Sequence, residues 1–167
     1  MLRVAPSPVE GRELEMPYFQ IRKKVHWSDT DAAGVAWFPN FLGWFEDAEE
    51  ELFASLGQAR QSLMDRHGFS MPRVEVTARF RGPARAGQLV RVGIETTVEN
   101  PRRLRHQFEI RDDNSDQLLA EGFVRVACVS VDTFQPRDLP HDVVQVLSGL
   151  PDLATRQARG EVELPWT

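Results

Sequence analysis

Asp29 and Asp31 flank a single threonine in the run Asp29-Thr30-Asp31-Ala32-Ala33-Gly34-Val35-Ala36-Trp37-Phe38-Pro39-Asn40, just ahead of the longest helical pattern in the chain. The first turn of a helix offers N–H groups with no intrahelical partner, together with the positive end of the helix dipole. A carboxylate held beside such donors can attack a carbonyl carbon, or activate the water that attacks it, while the donors hold the oxyanion. These residue types at this spacing point to acyl transfer to water. Asp before Gly also caps turns, and Asp29 reads as the loop-holding member of the pair. Gly34 suits a backbone shape closed to other residues, or leaves room for a substrate to approach.

Three kinds of element must position this run. Ahead of it, residues 18–27 alternate, with Phe19, Ile21, Val25 and Trp27 on one face and Gln20, Arg22, Lys24 and His26 on the other, as in a half-buried strand. Behind it, Phe41, Leu42, Trp44, Phe45, Ala48, Leu52, Phe53 and Leu56 recur at helical spacing among Glu46, Asp47, Glu49, Glu50 and Glu51. Pro39 fits the first helical position and Gly57 the stop, so the spacing predicts a helix of roughly 18 residues, about 27 Å long. Trp37, Trp44 and Phe45 read as core, with a substrate wall as the alternative.

From residue 74 the period changes to two. Val74, Val76, Ala78 and Phe80 alternate with Glu75, Thr77, Arg79 and Arg81, as do Val90, Val92 and Ile94 with Arg91, Gly93 and Glu95, and then His106, Phe108 and Ile110 with Arg105, Gln107, Glu109 and Arg111. The run 118–131 is apolar on both faces, as a central strand would be. Turn residues separate these runs at Gly82-Pro83, Asn100-Pro101 and 112–116. The order predicts an α+β domain in which one antiparallel sheet curves around a buried helix. After it, residues 136–167 carry Pro136, Pro140, Pro151 and Pro165 and read as a short helix near 141–149 and an irregular tail.

Bulk composition excludes several function classes. The chain has 167 residues, 41% of them hydrophobic, and a net charge of −5, which suits one domain with a real core and argues against nucleic-acid binding. No run approaches a membrane span, and residues 1–15 lack the apolar stretch of a signal peptide, so a cytoplasmic location is expected. The single Cys128 rules out an internal disulfide and a cysteine-based zinc site. His26, His67 and His141 have no metal-like spacing with acidic residues, so no metal or cofactor is expected. His106 shares an apolar face with Phe108 and Ile110 and reads as a core histidine.

The motif Asp29-Thr30-Asp31-Ala32-Ala33-Gly34-Val35, with Trp37-Phe38-Pro39-Asn40-Phe41 and Trp44-Phe45-Glu46, resembles that of the 4-hydroxybenzoyl-CoA thioesterase family of hotdog-fold acyl-CoA thioesterases. The resemblance spans roughly residues 18–135. It implies a hotdog domain over 17–135 with its sheet wrapped around one long central helix, and it leaves uncovered what the residues themselves read as a flexible leader over 1–16 and a short helix and irregular tail over 136–167. It also implies that Asp31 is the catalytic carboxylate, the Phe38 backbone N–H the oxyanion donor, and Gly34 part of the catalytic turn. Trp37, Asn40 and Glu46 fall at substrate-binding positions, and Glu46 at the one that approaches the far end of the acyl group. Arg102, Arg103 and Arg105 fall where the family meets the phosphates of coenzyme A.

The implied reaction is hydrolysis of an aromatic or short-chain acyl-CoA to free acid and coenzyme A, which is part of the substrate rather than a cofactor. The implied assembly is a homodimer of hotdogs, paired further into a tetramer, with Asp31 facing a neighbouring chain. Two alternatives stand beside it. One is a non-catalytic acyl-CoA-binding hotdog protein. The other is a hydratase of enoyl or hydroxyacyl thioesters, which pairs a carboxylate with a histidine that 28–56 does not contain.

Overall fold

A computed structural model describes residue 14 and residues 18–167 of the protein. Its elements run β1 (Phe19–Lys24), α1 (Phe38–Ser55), α2 (Arg60–His67), β2 (Phe69–Ser70), β3 (Arg73–Phe80), β4 (Leu89–Asn100), β5 (Arg103–Asp112), β6 (Leu118–Ala127), β7 (Val129–Ser130), α3 (His141–Leu147) and α4 (Leu150–Ala158). Five strands form an antiparallel sheet in the order β1-β4-β5-β6-β3, and β2 pairs with β7 in a small separate ladder. One sheet face buries Ile21, Val92, Ile94, Phe108, Ile110 and Val126 against α1, whose Phe45 ring stacks on Phe108 at 4.3 Å between centroids. This is the hotdog arrangement that the motif implied, with α1 spanning the expected 18 residues.

The helix forms where the apolar period demands it, burying Phe41, Trp44, Phe45, Ala48, Leu52 and Phe53 on one side. It starts at Phe38, one residue before the expected Pro39, and Gly57 follows its end at φ +85°. The Cβ alternation of β4 and β5 places every second residue on the α1 face, which is why a period of two was readable before any pairing was known.

Several expectations change. Trp27 is 85% exposed rather than buried, because β1 stops at Lys24 and the chain turns through a 3-10 turn at Trp27–Asp29, where strand alternation no longer applies. Val74, Val76 and Phe80 are about half exposed, since β3 is an edge strand with no neighbour beyond it. The run 118–131 is broken at Cys128, whose N–H leaves the ladder to bond Arg102 O at 2.8 Å. Only β6 is central. The tail holds a second helix, α4, which lays Leu150, Leu153 and Ala154 against the rest of the fold and ties Gln157 to the Gln20 backbone from both ends of its amide.

The expected 1–16 leader lies outside the described residues, save that the N–H of the buried Leu14 bonds the buried Glu109 carboxylate. At the other end, Trp166 bridges to Arg22 on the outer side of β1, with Arg22 N–H donating to Pro165 O at 2.7 Å and Thr167 N–H to Arg22 O at 3.2 Å.

Candidate active site

The loop between β1 and α1 is fixed by its own backbone and by Asp29. The Asp29 carboxylate accepts the His26 N–H at 2.8 Å, and the Asp29 carbonyl accepts both Trp37 N–H at 2.8 Å and Asn40 Nδ2 at 2.7 Å. Asp29 thus holds the loop, as its residue type suggested, and Asn40 acts on the loop rather than projecting from it. The tip is closed by Asp31 N–H to Val35 O at 2.9 Å and Gly34 N–H to Asp31 O at 3.0 Å. Gly34 sits at φ +73°, in the left-handed region that favours glycine, and open space surrounds the place a Cβ would occupy.

This turn leaves the Asp31 carboxylate exposed, with Oδ1 accepting Ala33 N–H at 2.8 Å. Asp31 lines a cavity of about 300 Å³ with Val35, Ala36, Phe38, Phe41, Phe80 and Pro83. The helix start opens on the same cavity. Pro39 has no N–H and the Asn40 N–H bonds Trp37 O at 2.9 Å, while the Phe38 N–H has no partner among the described residues. Phe38, whose N–H is the open donor at the positive end of an 18-residue helix, is thus among the residues that line the cavity with Asp31. The Phe38 ring packs edge-on against Phe80, which in turn meets Phe41 at 5.3 Å. Trp37 is 55% exposed and so belongs to the rim rather than the core, whereas Trp44 and Phe45 are buried.

The remaining candidates are not gathered here. Glu46 lies further along α1, where its Oε1 accepts from Arg73 Nη2 at 2.5 Å. Arg102 and Arg103 mark the β4–β5 hairpin, and the strand between that hairpin and the loop end of β4 covers roughly 36 Å. Arg102 donates to Asp138 at 2.8 Å. Arg105 lays its guanidinium over the Phe123 ring at 4.3 Å on the face of the sheet opposite α1, and its buried Nε has no hydrogen bond. Neither Arg103 nor Arg105 forms an ion pair among the described residues.

Sequence reasoning did not reach a buried ionic cluster on the α1 face. Glu49, almost wholly buried, takes Arg73 Nη2 on Oε2 at 2.6 Å, with Arg60 Nη1 at 3.0 Å and His106 Nε2 at 3.6 Å from Oε1. His106 is fully buried and bonds Thr96 Oγ1 through Nδ1 at 2.8 Å, so it is the core histidine expected. Burial pushes its pKa below the ordinary 6.5, against the opposing pull of the Glu49 charge. This pair does not line the cavity of Asp31, and no histidine is among the described residues that do. Only the strand order brings Arg73 to α1, and no local signal announces that. Among the described residues no cluster of His, Cys, Asp or Glu is arranged to hold a metal ion, and no helix is long and apolar enough to cross a membrane.

Comparison with known proteins agrees with this fold. The model of the thioesterase-like superfamily matches residues 25–147. A 1,4-dihydroxy-2-naphthoyl-CoA hydrolase of Synechocystis is 29% identical over 75% of this chain and 91% of its own. The acyl-CoA thioester hydrolase YbgC of Escherichia coli O157:H7 is 30% identical over 72% and 89%. Among solved structures, the Synechocystis 1,4-dihydroxy-2-naphthoyl-CoA thioesterase Slr0204 superposes with a TM-score of 0.75 at 27% identity, covering 79% of this chain and 96% of that one. An Asp loop poised at the start of a sheet-wrapped helix, and a family match across 25–147, make this chain a member of the thioesterase-like superfamily.

Proposed function

We propose that this protein hydrolyses an acyl-CoA thioester at Asp31. The observation that carries the reading is the exposed Asp31 carboxylate sharing an apolar cavity with the unpaired Phe38 N–H at a helix start. The thioester carbonyl sits between them. As nucleophile, an Asp31 oxygen bonds to the carbonyl carbon, the oxyanion rests on Phe38 N–H, and the carbon–sulfur bond breaks to expel coenzyme A thiolate. Water then cleaves the mixed anhydride to free acid and restores Asp31. As general base, Asp31 takes a proton from the water that attacks directly. One such donor contributes on the order of 3 kcal/mol to the barrier.

The cavity suits a single ring or a short chain, and the names of the Synechocystis relatives favour an aromatic acyl group. Arg103 and Arg105, with Arg102 beside them, are the cations proposed for the coenzyme A phosphates, through charge-assisted and bidentate bonds. Because they lie at the far end of the sheet from Asp31, the reading includes a homodimer, paired again into a tetramer, in which one chain's hairpin serves the other's loop. A cytoplasmic location goes with it, since coenzyme A thioesters are made and used there.

The test is release of free thiol from a panel of aromatic, short and long acyl-CoAs. Asp31→Asn is expected to lower kcat/KM by about 10²- to 10⁴-fold on the best substrate. Unchanged turnover in that variant sinks the site assignment. Binding of coenzyme A without turnover of any acyl-CoA favours a binding protein instead. In a single turnover in water labelled with oxygen-18, label in the Asp31 carboxylate marks the nucleophilic route.

A further inference from the structure

Phe19, the first residue of β1, pairs with Ile94, and β4 continues from there to Asn100. Beside that continuation, the corner between α3 and α4 encloses a cavity of about 470 Å³. It shares no described lining residue with the Asp31 cavity. Its apolar walls are Leu147, Leu150 and Ala154 of the corner, with Tyr18 and Ile94 on the sheet side. Gly93 admits the Tyr18 ring, since a Cβ there would overlap it. The α4 wall stands outside residues 25–147, the stretch that the family model matches.

The polar groups of this cavity are mostly acceptors. Ser148 Oγ donates to Gln145 O at 2.6 Å and Thr155 Oγ1 to Pro151 O at 2.7 Å. Each hydroxyl proton is thereby spent, and each oxygen is left to accept. Thr96 commits its Oγ1 to His106 Nδ1 at 2.8 Å. Glu95 is exposed, and its carboxylate makes no ion pair among the described residues. No lysine, arginine or histidine is among the described residues that line the cavity. Arg111, which bonds the Tyr18 phenol, is already held by Glu109 at 2.9 Å. An unpaired carboxylate, two hydroxyl oxygens and an aromatic ring, set in apolar walls, complement a donor that carries positive charge. The same lining disfavours an anion, so acyl-CoA, coenzyme A and a free acid are poor occupants.

We propose that the α3–α4 corner binds a small organic cation, a protonated amine on a compact aromatic or aliphatic body, with Glu95 as its counter-ion. The cavity volume is in the range of small-ligand sites. The proposal stands apart from the hydrolase reading, because no described residue of the Asp31 cavity takes part in it. Thr96 both lines the cavity and bonds His106, so the His106 ring protons report occupancy.

The experiment titrates the full chain with three probes of similar shape, 2-phenylethylamine, 2-phenylethanol and phenylacetate, followed by nuclear magnetic resonance. The amine is expected to saturate with a Kd of about 1 mM or tighter, and the alcohol to bind about fivefold more weakly. Phenylacetate should not bind. The His106 ring signals should shift along the amine's saturation curve. Glu95→Gln should bring the amine down to the affinity of the alcohol. Thr155→Phe, which fills the cavity, should remove both. Should that variant not fold, Ser148→Trp at the exposed rim takes its place. Asp31→Asn should leave amine binding unchanged.

Phenylacetate binding as tightly as the amine overturns the proposal, as does absence of amine saturation below about 10 mM. Amine binding that is indifferent to Glu95→Gln removes the counter-ion and the charge argument with it. Amine binding that survives Thr155→Phe but is lost in Asp31→Asn places the cation at the other cavity and overturns the site.

Discussion

Gly34 and Gly43, on either side of the start of α1, carry opposite expectations. Neither meets any atom where a Cβ would stand, so space does not separate them. Backbone does: Gly34 is held at φ +73°, while Gly43 lies within α1. Gly34→Ala should cost about 1 kcal/mol of stability through left-handed strain, and Gly43→Ala should add about 1 kcal/mol through helix propensity. Urea titration of both variants checks the pair, and equal signs would show that the loop tip relaxes. The neighbouring roles divide just as locally. Asp29 spends its carboxylate and its carbonyl on the loop, and Asp31, with one oxygen on Ala33, keeps an exposed face on the cavity.

Between elements, the tie that matters is the contact of α1 with β5 and β3 through Glu49, His106 and Arg73. Because burial lowers the pKa of His106 from 6.5, folding favours its neutral form. The unfolded chain therefore binds more protons between pH 6.5 and the lower folded value, and this stability is present above pH 6.5 and lost as pH falls below it. Thermal melts at pH 7.5 and 5.5 should show a lower Tm at the acid end, and His106→Gln should flatten the difference. A Tm insensitive to pH across that window in wild type would contradict a neutral buried imidazole.

The helix, the strands around it and the Asp loop were legible because each depends on local period or turn chemistry: the aromatic stripe of α1, the alternation at His106, Phe108 and Ile110, the glycine at 34. What stayed hidden depends on neighbours distant in sequence. Nothing near Arg73 tells of Glu49, Trp27 left the core because the strand before it ended early, and α4 lies in a stretch whose four prolines made it read as irregular chain.

At the scale of the whole molecule, strand order decides what the parts can do together. With order β1-β4-β5-β6-β3, the first and third strands of the sequence become the two borders of the sheet. The β3 border is open and half apolar. The β1 border is occupied by the chain's own last residues, through Arg22, Pro165 and Thr167. A sheet with two open borders can add copies at both and grow into a fibre; with one border stopped, pairing at the other closes on itself after two copies. Residues 165–167 bond Arg22 and Gln157 bonds Gln20, so this border is expected to resist the addition of a further copy. A chain ending at Leu164 should fold and keep its far-ultraviolet circular dichroism, yet scatter light increasingly with concentration, whereas the full chain should plateau at a finite size.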